Sequence, residues 1–169
     1  NSTWWSGAGF ALSSGSIPLN CEAPVKKHAV FVDGQEGTTG LRIHEYLAAR
    51  SDVEVLRIAP DKRKDTAERA RLLNAADVAF LCLPDDAAKD AVALASSLGK
   101  DAPKIVDAST AHRVSEGWVY GFAELNAEQA GKIRQAAHVA NPGCYPTGAI
   151  ALLNPLVASG TVPPDYPIS

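Results

Sequence analysis

From His28 onward, apolar residues alternate between short unbroken runs and helical steps. His28–Val32 (HAVFV) is an apolar run closed by Asp33 and Gly34, as a buried parallel strand would be. Between Thr38 and Arg50, Leu41, Ile43, Leu47 and Ala48 share one side of a helix. Val53–Ile58 reads as a second strand, and Ala67, Ala70 and Leu73 as a short helix. Val78–Leu83 reads as a third strand. Ala88, Ala91, Val92 and Ala95 recur at i, i+3, i+4 and i+7. Asp85 or Asp86 is placed to cap that helix and Gly99 to close it. Lys104–Asp107 gives a fourth strand, whereas Ala108–Tyr120 carries no period. Asn126 and Gln129 have capping-box spacing and predict a helix from Asn126. Ala137–Ala140 predicts a further strand. Ile150, Leu153 and Val157 mark a last helix, Thr147–Ser159, stopped by Gly160. The alternation predicts an α/β fold: a doubly wound, Rossmann-type parallel sheet with helices on both faces and right-handed crossovers.

Residues 1–26 differ. They are rich in Ser and Gly, without period, and lack the positive start and apolar run of a signal peptide. A flexible leader or non-native extension is expected there. Residues 27–143 are expected to form the dinucleotide-binding domain, and 144–169 the start of a truncated catalytic domain. With 16 basic and 19 acidic residues, the net charge of −3 gives no reason to expect nucleic acid as a partner. No apolar run has the length of a membrane span. Cys21, Cys82 and Cys144 form no CxxC pair, so neither a disulfide framework nor a metal site is expected. A reducing, cytoplasmic setting fits that cysteine usage.

Two segments carry candidate chemistry. Gly34-Gln35-Glu36-Gly37-Thr38-Thr39-Gly40 is GxxGxxG between the first strand and the first helix. Its glycines suit a tight turn, close approach to a pyrophosphate, and helix-on-strand packing. The helix N-terminus supplies N–H groups, and Thr38 and Thr39 add hydroxyls. An NAD-preferring site usually ends its second strand with an acid for the ribose hydroxyls, whereas here Ile58-Ala59-Pro60 is followed by Asp61 and three cations, Lys62, Arg63 and Lys64. Lys62 and Arg63 suit a 2′-phosphate, so NADP(H) is expected over NAD(H). The turn at Pro84, after the third strand, is expected near the nicotinamide ribose.

The second segment is Asn141-Pro142-Gly143-Cys144, a turn just before a helix. It places Cys144 at a positive helix end, which favours the nucleophilic thiolate. Cys82, inside VAFLCL, is expected in the core. A thiolate beside a nicotinamide suggests acyl transfer to sulfur followed by hydride transfer. Ser109 and Arg113, in DASTAHR, could bind a substrate anion; Arg113 in a surface ion pair is the equal alternative. His112 could be catalytic, but a loop histidine beside an arginine is more often simply exposed.

DGQEGTTG, DASTAHR, VYGFAELN and VANPGCYPTG occur in order, and over about Lys27–Ser169 the chain resembles N-acetyl-gamma-glutamyl-phosphate reductase of the shorter class. The wider relatives are aspartate-semialdehyde dehydrogenases. The resemblance implies NADPH-dependent reduction of N-acetylglutamyl 5-phosphate to the 5-semialdehyde in arginine biosynthesis. It implies Cys144 as nucleophile and Gly34, Glu36, Gly37, Thr38, Thr39, Gly40, Lys62, Arg63, Pro84, Pro142 and Gly143 at the cofactor. Ser109, Arg113 and Asn141 would lie at the acyl phosphate, a small-molecule partner, and the full-length enzyme would be a homo-oligomer. The family's catalytic histidine lies in its second domain, and none of His28, His44, His112 and His138 matches it. Little or no turnover is therefore expected from these residues alone, with an exposed apolar surface near Ile150–Val157. An aspartate-semialdehyde dehydrogenase and a non-catalytic NADP-binding module are the alternatives.

Overall fold

The computed structural model describes residues 27–168. The expected leader, with Cys21, lies outside the described residues. The elements are β1 (His28–Asp33), α1 (Thr38–Ala48), β2 (Val53–Leu56), α2 (Thr66–Ala75), β3 (Val78–Leu81), α3 (Asp85–Ser96), β4 (Lys104–Asp107), β5 (Val119–Tyr120), α4 (Gln129–Gln135), β6 (His138–Ala140) and α5 (Cys144–Ala158). The strands form one sheet in the order β2-β1-β3-β4-β6-β5. Every neighbouring pair is parallel. This is the doubly wound α/β arrangement, and the strand order reverses between β1 and β3. Open sheets of this kind bind ligands outside the carboxyl ends of the strands at such a reversal.

The apolar pattern places the layers. Leu72 and Leu73 of α2 and Ala91 and Ala95 of α3 pack on Phe31, Ala79, Leu81 and Ile105. On the other face, Ile43 and Leu47 of α1 pack on Val30, Val32, Val55, Val78 and Phe80. No residue of α5 is buried, and Tyr145, Leu152 and Leu156 are exposed. Asn154 of α5 ties the helix down by donating to the Leu125 carbonyl at 2.9 Å. Among the described residues, no helix is long and apolar enough to cross a membrane.

Several local expectations are corrected. β2 stops at Leu56 and β3 at Leu81, short of Ile58 and Leu83. The segment expected to be irregular contains the edge strand β5, parallel to β6. α4 begins at Gln129 rather than Asn126, and no capping box forms. The Gln129 side chain is buried and donates instead to the Tyr120 carbonyl at 2.5 Å, tying α4 to β5. Neither Asp85 nor Asp86 caps α3, whose N-cap is Pro84. α3 closes at Ser97, and Gly99 opens the short helical turn that follows. α5 starts at Cys144, one turn earlier than expected.

A cap that the apolar pattern did not mark lies at Asp65, whose carboxylate accepts from the N–H groups of Ala67 at 2.9 Å and Glu68 at 3.2 Å. Asp65→Ala leaves both donors without that partner. It is expected to cost about 1 kcal/mol, a fall in Tm of about 2–4 °C by thermal melting, with Asp65→Asn close to the parent.

Candidate active site

The glycine turn is shaped by backbone packing. Gly34 has φ +88°, and a Cβ there would lie 2.2 Å from the Cys82 carbonyl oxygen at the end of β3. A Cβ on Gly40 would lie 2.4 Å from the Gly34 carbonyl. At Gly37 the nearest atom would be 3.6 Å away, so that position stays open. Gly37 caps α1 without a side-chain hydrogen bond, and the first turn holds no acid. The N–H groups of Thr38, Thr39 and Gly40 thus stand at an uncapped positive helix end, which suits a pyrophosphate. Just before the turn, the buried Asp33 receives Arg69 of α2 at 2.6 and 3.0 Å.

Of the residues expected at the cofactor, Arg63 is already engaged. It bonds the Pro60 carbonyl at 2.9 Å and pairs with Glu36 of the glycine turn at 2.7 Å. Lys62 is exposed on the short helical turn Pro60–Lys62. Pro84 stands at the start of α3, opposite the glycine turn across the β1–β3 reversal.

The thiol region is built around Asp107, fully buried at the end of β4. Its carboxylate accepts from the Ser109 N–H at 3.0 Å and the Ser109 hydroxyl at 2.6 Å, and it meets His112 Nδ1 at 2.6 Å. Its backbone carbonyl accepts from the Asn141 N–H at 2.7 Å. One residue therefore holds both the loop after β4 and the turn that leads into α5. His112 is 8% exposed, not a loose loop residue. Its ring stacks on Trp118 at 4.2 Å, and Trp118 stacks on His138 at 4.9 Å. The Ser109 hydroxyl, expected to donate to substrate, donates to Asp107 here.

Arg113 follows His112 and lies against the next turn. A Cβ on Gly143 would come within 2.7 Å of an Arg113 terminal nitrogen, so the guanidinium rests on the residue preceding Cys144. Arg113 Nε is buried with no partner, and the side chain makes no ion pair among the described residues. Gly143 caps α5 without a side-chain bond, Cys144 is the first helical residue, and its thiol is exposed. The Asn141 amide donates to the Pro142 carbonyl at 3.2 Å, and Pro142 packs beside Gly121.

Two consequences can be measured here. Burial, and then the charges of Asp33 and Asp107, push the Cys82 thiol up to about 11. Iodoacetamide at pH 8 should therefore alkylate Cys144 and spare Cys82, as read by peptide mass mapping. The second concerns Asp85, which accepts from both the N–H and the hydroxyl of Thr110 and so ties α3 to the Asp107 loop. These bonds hold its carboxyl below the usual carboxylate range. Their stabilisation is present at neutral pH and is lost as the carboxyl is protonated in acid, below the ordinary carboxylate range. Hydrogen exchange in the segment 108–113 should speed up across that window, and Asp85→Ala should speed it up at neutral pH.

A single cavity of about 450 Å³ joins the two segments. It is lined by Thr38, Thr39 and Ile43 of α1, by Phe80 and Val106 of the sheet, and by Asn141. The first turn of α1 thus opens into the same crevice as the turn that presents Cys144. The sequence reading missed Asp107, since a buried carboxylate closing KIVD is written like a solvated one.

Residues 29–133 match the semialdehyde dehydrogenase NAD-binding domain family. The N-acetyl-gamma-glutamyl-phosphate reductase of Mesorhizobium japonicum is 57% identical over 143 residues, 85% of this chain and 46% of that protein. The reductase of the same name from Chelativorans sp. is 54% identical over 83% of this chain and 44% of its own length. The chain spans about half the length of the curated relatives it matches. Among solved structures, aspartate semialdehyde dehydrogenase II from Vibrio cholerae superposes with a TM-score of 0.57 at 15% identity, covering 79% of this chain and 47% of that one. The Candida albicans aspartate semialdehyde dehydrogenase with NADP gives 0.54 at 17% identity, over 79% of this chain and 48% of that one. At these identities the likeness concerns the fold alone.

Proposed function

The chain belongs to the semialdehyde dehydrogenase NAD-binding domain family, and from that premise we propose that it is the dinucleotide-binding and thiol-bearing part of an N-acetyl-gamma-glutamyl-phosphate reductase. The reaction is NADPH-dependent reduction of N-acetylglutamyl 5-phosphate to the 5-semialdehyde in arginine biosynthesis. The observation that carries this reading is the cavity shared by Thr38, Thr39 and Asn141, three residues before the exposed Cys144. The reading brings with it a cytoplasmic setting, where thiols stay reduced, and a homo-oligomer.

Each residue has a part. The thiolate of Cys144 adds to the acyl carbon, the carbon–oxygen bond to phosphate breaks, and inorganic phosphate leaves with that electron pair. Arg113, resting on Gly143 with no ion-pair partner, takes the charge of the leaving phosphate. The uncapped N-terminus of α5 faces the oxygen that gains charge on the acyl carbon. A bound nicotinamide cofactor supplies the hydride that turns the thioester into aldehyde and returns the thiolate. Thr38, Thr39 and Gly40 hold the pyrophosphate through their N–H groups. Gly34 and Gly40 keep the turn closed on β3, and Pro84 borders the nicotinamide ribose. Asp107 and His112 act by position, fixing the loop that carries Arg113.

The test omits the cofactor. Mixing N-acetylglutamyl 5-phosphate with the protein that carries this chain should release one phosphate per chain and acylate Cys144, as read by intact mass and peptide mapping. Aspartyl phosphate should react far more slowly. Acylation elsewhere, or equal reaction with both acyl phosphates, contradicts the assignment.

A further inference from the structure

The cation cluster after β2 is not the one best placed to read the cofactor. Arg57 directly follows Leu56, the last residue of β2, at the carboxyl end of the strand, where the adenosine ribose lies in doubly wound sheets. It lines a cavity of about 570 Å³ together with Gln35 and Glu36 of the glycine turn and His44 and Glu45 of α1. The space therefore runs from the pyrophosphate turn to the end of β2.

The charges on its wall single out Arg57. Glu36 is paired with Arg63 at 2.7 Å, and Glu45 with Arg42 at 3.1 Å. Arg63 also donates to the Pro60 carbonyl. Arg57 has no hydrogen bond or ion pair among the described residues, so its cation is the one left unbalanced. Beside it, both ring nitrogens of His44 are buried without a partner. Burial, and then the charge of Arg57, hold that imidazole below its usual range. A neutral ring offers one donor and one acceptor. An unpaired guanidinium next to an unsatisfied neutral ring suits a phosphate ester on a sugar carrying a free hydroxyl.

We propose that Arg57 binds the 2′-phosphate of the adenosine ribose and so selects NADP(H) over NAD(H), with His44 bonding a neighbouring ribose hydroxyl. Lys62 and Arg63 then have no direct contact with that phosphate, and Arg63 stays paired with Glu36. The inference rests on the dinucleotide reading above and replaces its first choice of cations.

Binding tests it without turnover. The chain is titrated calorimetrically with NADPH, NADH, adenosine 2′,5′-bisphosphate and AMP, as wild type and as Arg57→Ala, Arg57→Lys and Arg63→Ala. Arg57→Ala should weaken NADPH and the bisphosphate about ten- to a hundredfold, as for loss of a charge-assisted contact, and leave NADH and AMP within about twofold. Arg57→Lys should keep part of the preference, and Arg63→Ala most of it. Arg57 is exposed, so the fold should persist, and a thermal melt of each variant checks this. A NADPH preference that survives Arg57→Ala, or vanishes in Arg63→Ala, overturns the assignment and leaves the cofactor reading standing. A wild-type chain that binds NADPH and NADH equally also overturns the assignment, and one that binds neither overturns the dinucleotide reading itself.

Discussion

In the protein that carries this chain, Cys144→Ser lowers reduction of the acyl phosphate by at least about 10³-fold, while NADPH affinity stays within about twofold. The sulfur is exposed at the first residue of α5, so the exchange neither opens a cavity nor removes a packed group. Serine suits a helix start, so α5 should form as before. What changes is the nucleophile. A serine hydroxyl is not ionised at neutral pH without a strong base beside it, and an ester is reduced less readily than a thioester. The effect should fall on the acylation step, visible as loss of the phosphate burst. Unchanged calorimetric NADPH binding would separate this from a general loss of structure. A variant that keeps the parent burst would remove Cys144 from the chemistry.

Gly34→Ala is the largest expected effect on stability. The added Cβ meets the Cys82 carbonyl oxygen at 2.2 Å and its carbon at 2.7 Å, both backbone atoms that cannot swing aside. The Cys82 N–H is bonded to the Asp33 carbonyl at 2.8 Å, so moving either strand breaks the ladder at the reversal. Gly34 also needs φ +88°, which alanine resists. Together these should cost about 3 kcal/mol or more in urea unfolding. Gly37→Ala is the contrast. Its φ of −70° is open to any residue and its nearest would-be contact is 3.6 Å away. That variant should unfold at nearly the parent urea concentration yet bind NADPH more weakly, because the methyl intrudes on the pyrophosphate side. Equal destabilisation at both glycines would show that their roles in the turn are not distinct.

The sheet was legible where burial left an unbroken apolar run. HAVFV and VAFLCL could hardly be anything else, and the parallel pairing followed from the alternation with helices. Where two half-buried residues make a strand, as in Val119–Tyr120, local sequence carries no sign of it. The Asn126–Gln129 spacing misled because Gln129 had a better partner in the Tyr120 carbonyl, supplied by tertiary structure. The place of Cys144 at a helix start was legible because a Pro/Gly turn before a helix is a local feature. The net around Asp107 was not, since its partners are assembled by burial, with Trp118 covering His112 from outside the motif. Lys62 and Arg63 drew attention as a cluster, whereas the ion pairs that set Arg57 apart exist only in the folded chain.

The central claim is that Cys144 and the glycine turn serve one crevice. A crystal structure of the chain with NADP⁺ tests it most directly. The account predicts pyrophosphate oxygens on the N–H groups of Thr38, Thr39 and Gly40. It further predicts the nicotinamide ring passing Asn141, with its C4 within about 4 Å of the Cys144 sulfur, ordinary van der Waals contact. A dinucleotide seated away from the turn, or a nicotinamide ring directed to the opposite side of the sheet from Cys144, would contradict it.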